Sequence, residues 1–277
     1  MRRFPRGIAV SGPAGVVVWW DEPADGPTNM AADEWLAAEA DRRGTLLVRV
    51  YGWSPTTVSL GAFQPIAEAG AVADIRGVPL VRRPSGGGAI VHGSDLTYAA
   101  AVPKGHAWGA SPQAFYDALH GAMATVLADH GVDARPWRDA AHAGVDAPRD
   151  THFFCFDRRA PGDLVVDEAN VRPGAAGCKI MGSAQRRLAG VVLQHGSLLL
   201  GGNPDVAGAA RHAGIAEAVP LARIPAPLEL ARAWVRRVAA TLGTRLHEES
   251  ASWSGAKAER IAAGAERFRE DRWTCRR

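Results

Sequence analysis

Lysine is nearly absent from this chain. Of 32 cationic side chains only Lys104, Lys179 and Lys257 are lysines, which leaves 29 arginines. Where arginine carries almost all the positive charge, each lysine raises the question of whether a compact ammonium is needed there. Cysteine is equally scarce. Cys155, Cys178 and Cys275 make no CxxC pair, and an odd number cannot complete a disulfide framework, so neither a zinc ribbon nor a stapled secreted fold is indicated. No apolar run approaches the roughly 20 residues of a membrane helix. The opening MRRFPRGIAVSGPAG lacks the continuous apolar core of a signal peptide, so a cytoplasmic protein without membrane association is expected. The net charge of +3 is dispersed rather than gathered into one run, which argues little for a nucleic-acid partner.

What the chain does have is 277 residues with 47% hydrophobic content, enough for a sizeable core. One large domain spanning 1–277 is expected. VVVWW (Val16 to Trp20), TLLVRVYGW, TTVSLG and PLVRR read as strands, and NMAADEWLAAEADRR as a helix capped by Thr28 or Asn29. SPQAFYDALHGAMATVLADHG opens with a serine cap and a first-turn proline and can end at Gly131, with Phe115, Leu119, Met123, Val126 and Leu127 facing the core. Arg135 to Pro161 loses periodicity and reads as a functional or mobile loop. DLVVD, KIMGSAQRR and GVVLQHGSLLL read as a strand meander. In LELARAWVRRVAATLG, Leu228, Ala231, Trp234, Val235, Val238 and Leu242 share a face, and the helices of 226–270 are expected to pack on the rest. Strands and helices mix without a regular βαβ rhythm, so the expected class is α+β, with mixed or antiparallel sheets packed against helices.

The most unusual stretch is RRPSGGGAIVH. Gly86, Gly87 and Gly88 permit positive φ and allow a ligand to touch main-chain amides, but their spacing matches neither GxGxxG nor GxxxxGK[ST]. Alone, the run reads equally well as a glycine-rich hairpin, and Arg82 and Arg83 as solvated charges. Cys155, set between Phe154 and Phe156 in THFFCFDRR, reads alone as a small buried hydrophobe.

Taken with GCKIMGSAQRRLAGVVLQHGSLLL, GPTNMAADEWL and YGWSPTTVSLGAFQP, the glycine stretch resembles the lipoate/octanoate protein transferase and ligase family, related to the catalytic domain of biotin protein ligases. The resemblance runs from the first helix to the end of the meander and implies that fold. It implies a tunnel for an acyl chain lined by the glycine loop, with Lys179 near the acyl carbonyl. Arg83, Ser85, Gly86, Gly87, Gly88, His92, Gln185 and His195 are the expected substrate-binding positions. THFFCFDRR is similar to the cysteine-phenylalanine motif of the cysteine-dependent octanoyltransferases, which makes Cys155 the expected nucleophile. A thiolate takes an acyl group from a thioester at little energetic cost, because the bond formed matches the bond broken.

The function so implied is transfer of an octanoyl group from octanoyl acyl carrier protein, through a Cys155 thioester, to a lysine of a lipoyl carrier domain. Acceptors would be the lipoyl domains of 2-oxoacid dehydrogenases or the glycine-cleavage H protein. No cofactor and no metal are expected. The alternatives are an ATP-dependent lipoate ligase, which would survive loss of Cys155, and a catalytically inactive acyl- or lipoyl-binding protein. An ordinary thiol, with a pKa of roughly 8.5, needs activation near neutral pH. Lys179, His152, His92 or His195 could supply it. Asp95 could orient His92 or cap a turn, and Cys178 would face away from Lys179 in a strand.

Overall fold

The computed structural model describes residues 15–139, 153–166, 178–219, 224–249, 253 and 255–277. His152, with the rest of 140–152 from the irregular 135–161 stretch, and residues 167–177 before Cys178 lie outside them. The elements are β1 (Gly15–Trp20), α1 (Gly26–Arg43), β2 (Leu46–Tyr51), β3 (Thr57–Leu60), α2 (Ile66–Ala71), β4 (Leu80–Arg82), β5 (Ile90–His92) and β6 (Asp95–Pro103). There follow α3 (Pro112–Asp129), β7 (Ala134–Pro136), β8 (Leu164–Val166), β9 (Cys178–Arg187), β10 (Val191–Leu199), α4 (Ile215–Ala218), α5 (Pro227–Thr241), β11 (Arg245–Glu249), α6 (Ala256–Arg269) and α7 (Asp271–Thr274).

Among the described residues the strands form an eight-stranded sheet ordered β11-β1-β2-β6-β10-β9-β8-β7 and a three-stranded sheet ordered β4-β3-β5. β11, β1 and β2 run parallel, while β2-β6-β10-β9-β8-β7 pair antiparallel. This is the mixed α+β architecture expected from the sequence.

Period-two alternation divides the large sheet between two helical layers. Val16, Val18, Leu46, Val48, Tyr98 and Val102 point to α3 and α5, against Phe115, Leu119, Met123, Trp234 and Val238. Val17, Leu47, Ala99, Ala101 and Leu193 point to α1 and α6, against Leu36, Ala37, Ile261 and Phe268. On the small sheet, Val58, Leu60, Val91 and Phe154 form a separate apolar cluster.

Two helical details differ from the sequence reading. α1 begins earlier, because the Asp25 carboxylate accepts the Thr28 amide at 2.9 Å and caps it ahead of Gly26. On α5 Leu228 is 53% exposed and Leu230 takes the buried place. Leu228 sits in the first turn, short of where α5 meets the sheet.

Candidate active site

Three elements distant in sequence meet where β4 leads through the glycine loop into β5. The Ala89 amide donates to Phe153 O at 2.9 Å and the Cys155 amide donates to Ala89 O at 2.8 Å, so the segment holding Cys155 is zipped onto the loop. Gln64 adds a clamp, donating from Nε2 to Phe153 O at 2.9 Å while its Oε1 accepts the Gly61 amide. This contact explains Gly88. A Cβ there would lie 2.7 Å from the Cys155 nitrogen, closer than folded chains tolerate. Gly87 adopts φ 94°, a conformation that favours glycine, whereas a Cβ on Gly86 would meet only the Phe63 ring, at 3.7 Å. What lies against this backbone is therefore first of all the chain's own cysteine segment.

Arg82 and Arg83 are buried rather than solvated. Arg83 Nη2 donates to Gly86 O and Gly88 O, and its Nη1 donates to Ser59 O, so one guanidinium holds both ends of the glycine run. Burial, reinforced by Arg82 and opposed by Cys155, pushes Arg83 down to about 10. Arg82 donates to Gly61 O, Gln64 O and Thr274 O, tying β4 to α7.

Lys179, on β9, is 5% exposed and reaches Cys155. Its Nζ stands 3.8 Å from Cys155 Sγ and donates to Cys155 O at 3.1 Å and Arg158 O at 3.0 Å. Asp163, just before β8, pairs with Nζ at 2.8 Å. Asp163 is itself held by the Tyr116 hydroxyl at 2.6 Å and the Ala160 amide at 2.6 Å. Burial alone would lower the Lys179 pKa, but Cys155 and Asp163 together outweigh it and the ammonium is stabilised. Cys178, its neighbour, packs in part against the α3/α5 layer and also borders the cleft that Lys179 lines.

Beside Sγ runs a narrow slot lined by Trp53, Ile90, His92, Ser183, His195 and Gly196. Its cavity is about 20 Å3. Several of these residues are polar, yet they spend their polar atoms on one another. His92 bonds Asp95 through Nδ1 at 2.8 Å and Ser59 through Nε2 at 2.9 Å, stacked on Trp53. His195 bonds Asp33 through Nδ1 at 3.1 Å and Ser85 through Nε2. Thr97 takes Trp53 Nε1 and donates to Asp95. The surface left to the slot is mostly apolar, ring faces and methylenes beside Cys155 and Arg83, which suits an apolar chain. Asp95 orients His92, and burial opposed by His92 and two hydroxyls leaves it at about 2.

Of the sequence-derived set, Cys155, Lys179, Arg83, Gly88, His92 and His195 converge here, and Ser85 joins through His195. Gln185 does not. It donates to Pro112 O and Gln194 Oε1 and borders an outer groove of about 610 Å3 with Ser85, Gly86, Arg187, Arg276 and Arg277. Burial lowers the Arg276 pKa, and Arg186, Arg277 and Arg267 lower it further. On the Lys179 side opens a cleft of about 660 Å3 lined by Phe156, Asp157, Arg159, Arg211 and His212. Asp163, Asp33, Tyr116 and His212 escaped the sequence reading. The signal for Asp163 was its place between PG and LVV, which reads as a turn before a strand. Among the described residues no cluster of three or more His, Cys, Asp or Glu could hold a metal, and no helix is long and apolar enough to cross a membrane.

Residues 25–220 match the lipoyl protein ligase A/B catalytic domain. The chain belongs to this family. It is 35% identical over 246 residues to an octanoyltransferase, LipM, of Symbiobacterium thermophilum, covering 86% of this chain and 81% of that one. With LipM of Geobacillus kaustophilus it shares 35% over 181 residues, 62% of this chain, and it spans 60% of that relative's length. The fold matches lipoate-protein ligase A bound with ATP at a TM-score of 0.68 and 19% identity, over 94% of this chain and 98% of that one. It also matches a bipartite lipoate protein ligase of Thermoplasma acidophilum at 0.64 and 17%, over 95% and 96%.

Proposed function

We propose that this protein is an octanoyltransferase that works through a thioester on Cys155. The observation carrying this reading is the cysteine paired with a buried ammonium, Sγ to Nζ 3.8 Å, at the mouth of a slot walled by apolar surface. The relatives named octanoyltransferase support it at the level of the family branch. Cys155 thiolate attacks the thioester carbonyl of octanoyl acyl carrier protein, a C–S bond forms as another breaks, and the carrier leaves as a thiolate. Lys179 and amides of the glycine loop offset the charge on the oxyanion. In the second half-reaction a lysine amine of a lipoyl carrier domain attacks the acyl enzyme, C–N forms, and Cys155 leaves as thiolate. Lipoyl domains of 2-oxoacid dehydrogenases and the glycine-cleavage H protein fit as acceptors, in the cytoplasm, with the whole of 1–277 acting as one catalytic domain. The arginine-lined outer groove supports acidic carriers as partners.

Intact mass after incubation with octanoyl acyl carrier protein, without ATP, tests the reading. A hydroxylamine-labile octanoyl adduct on the wild type but not on Cys155→Ala is expected. Equal transfer by the variant, or an absolute ATP requirement, would overturn it in favour of a ligase.

A further inference from the structure

His212 combines two features that occur together at no other described residue. Its backbone, φ 45° and ψ 130°, makes it the one non-glycine residue at positive φ among those described. Such a conformation costs on the order of 1–3 kcal/mol and persists where surrounding structure enforces it. Here the enforcement is visible: a 3-10 turn over Gly208–Arg211 precedes it, and Arg211 O accepts the Asn203 amide at 3.1 Å. In addition, His212 Nε2 is buried and has no hydrogen-bond partner among the described residues. Buried polar atoms are satisfied in the great majority of cases, so an orphan at a strained position calls for a role.

Its surroundings indicate which. The imidazole packs on the two phenylalanines that bracket the nucleophile, with ring centroids 4.9 Å from Phe154 and 5.5 Å from Phe156. Lys179 Nζ lies 5.2 Å from the same Phe156 ring. His212 and Lys179 therefore flank one aromatic side chain and line the same open cleft, where an incoming side chain has room. The charged groups acting on His212 are His92 on β5, Asp95 on β6 and Lys179 on β9, with Asp157, Arg159 and Arg211 along the cleft wall.

We propose that His212 Nε2 accepts the proton of the attacking amine when the acyl group leaves Cys155. The proposal rests on the thioester reading above. The amine nitrogen bonds to the thioester carbon, the C–S bond breaks with its electron pair going to Sγ, the N–H proton passes to Nε2, and the imidazolium returns it to solvent through the cleft. Burial first, and the charges of His92 and Lys179 next, push His212 down to about 4 despite Asp95, so the ring is neutral at neutral pH.

The two half-reactions separate the roles. His212→Gln and His212→Ser are compared with the wild type, following acylation by octanoyl acyl carrier protein and then, on isolated acyl enzyme, transfer to a lipoyl-domain lysine across pH. Acylation within about twofold of wild type, deacylation slowed about 100-fold at pH 7, and partial rescue of His212→Ser by imidazole are expected. Wild-type deacylation in both variants would overturn the proposal, as would an equal loss in both half-reactions without imidazole rescue. Absence of any acyl enzyme on the wild type would instead sink the Cys155 reading itself.

Discussion

At the scale of single residues, the buried pair Lys179 and Asp163 sets the surroundings of the proposed nucleophile, Cys155. In the proposed route the acylated sulfur carries no charge, and among the described residues Lys179 then keeps Asp163 as its counter-charge. Removing one partner of a buried pair strands the other, at a cost of about 3–5 kcal/mol. Asp163→Asn is therefore expected to lower the thermal midpoint and to slow acylation about 10- to 100-fold, read by the burst of Cys155 adduct. Tyr116→Phe, which removes the 2.6 Å bond donated to Asp163 Oδ1 and the 3.2 Å bond accepted from the Ser183 amide but leaves the Asp163 charge in place, should show a smaller loss of the same kind. Of the two, only Lys179 was legible in the sequence. Lys179 was marked by its rarity and by its motif, but an aspartate ahead of a short strand looks like any turn residue, and only the antiparallel pairing of β8 with β9 brings it to the ammonium. Likewise His212 carries no local signal, because its strain and its orphan nitrogen exist only in the folded chain.

At the scale of elements, period-two and helical patterns reveal the strands and long helices because each buries one face against a partner. The ends are harder to read. Asp25, outside the apolar period, caps α1, and the stripe of α5 departs from the expected one at Leu228, which is exposed while Leu230, two residues on, takes the buried face. Leu230→Ala should destabilise by about 2–5 kcal/mol in urea melts, while Leu228→Ala should be near neutral. The glycine loop gives a matched test. Gly88→Ala places a Cβ 2.7 Å from the Cys155 nitrogen and should cost about 1–3 kcal/mol together with most of the acylation rate. Gly86→Ala, in open contact with Phe63, should leave both within about twofold. A run of three glycines looks uniform in the sequence, yet the fold demands only two of them.

At the scale of the whole molecule, acid acts through buried imidazoles. Burial, opposed by Asp163, leaves His120 at about 4, against about 6.5 in the unfolded chain. The unfolded chain therefore binds the proton first as pH falls, so the stability is fully present above pH 6.5 and declines between 6.5 and 4, by at most about 1 kcal/mol per pH unit from this group. His212 acts in the same direction. Asp95, at about 2, keeps its contribution throughout that window. Urea midpoints should fall from pH 6.5 to pH 4, and His120→Gln should flatten the slope. Salt addresses a different surface. Raising ionic strength should increase KM for the protein carriers through the outer arginine groove and leave kcat nearly unchanged, because Lys179 is shielded by burial.

The two backbone bonds joining Ala89 to Phe153 and Cys155 have a mechanical consequence. A cavity of about 20 Å3 cannot admit an eight-carbon chain, so the wall must yield as substrate enters. One side of it, where Arg83 and Ile90 flank the glycine loop, is fastened through Ala89 to the peptide that carries Sγ. Loading and aiming then become one motion: whatever spreads the wall also swings the nucleophile, and an occupant too short to spread it leaves the sulfur unaimed. Amide exchange at Ala89 and Cys155 should accordingly rise and fall together, and acylation rates should grow with donor chain length more steeply than donor affinity does.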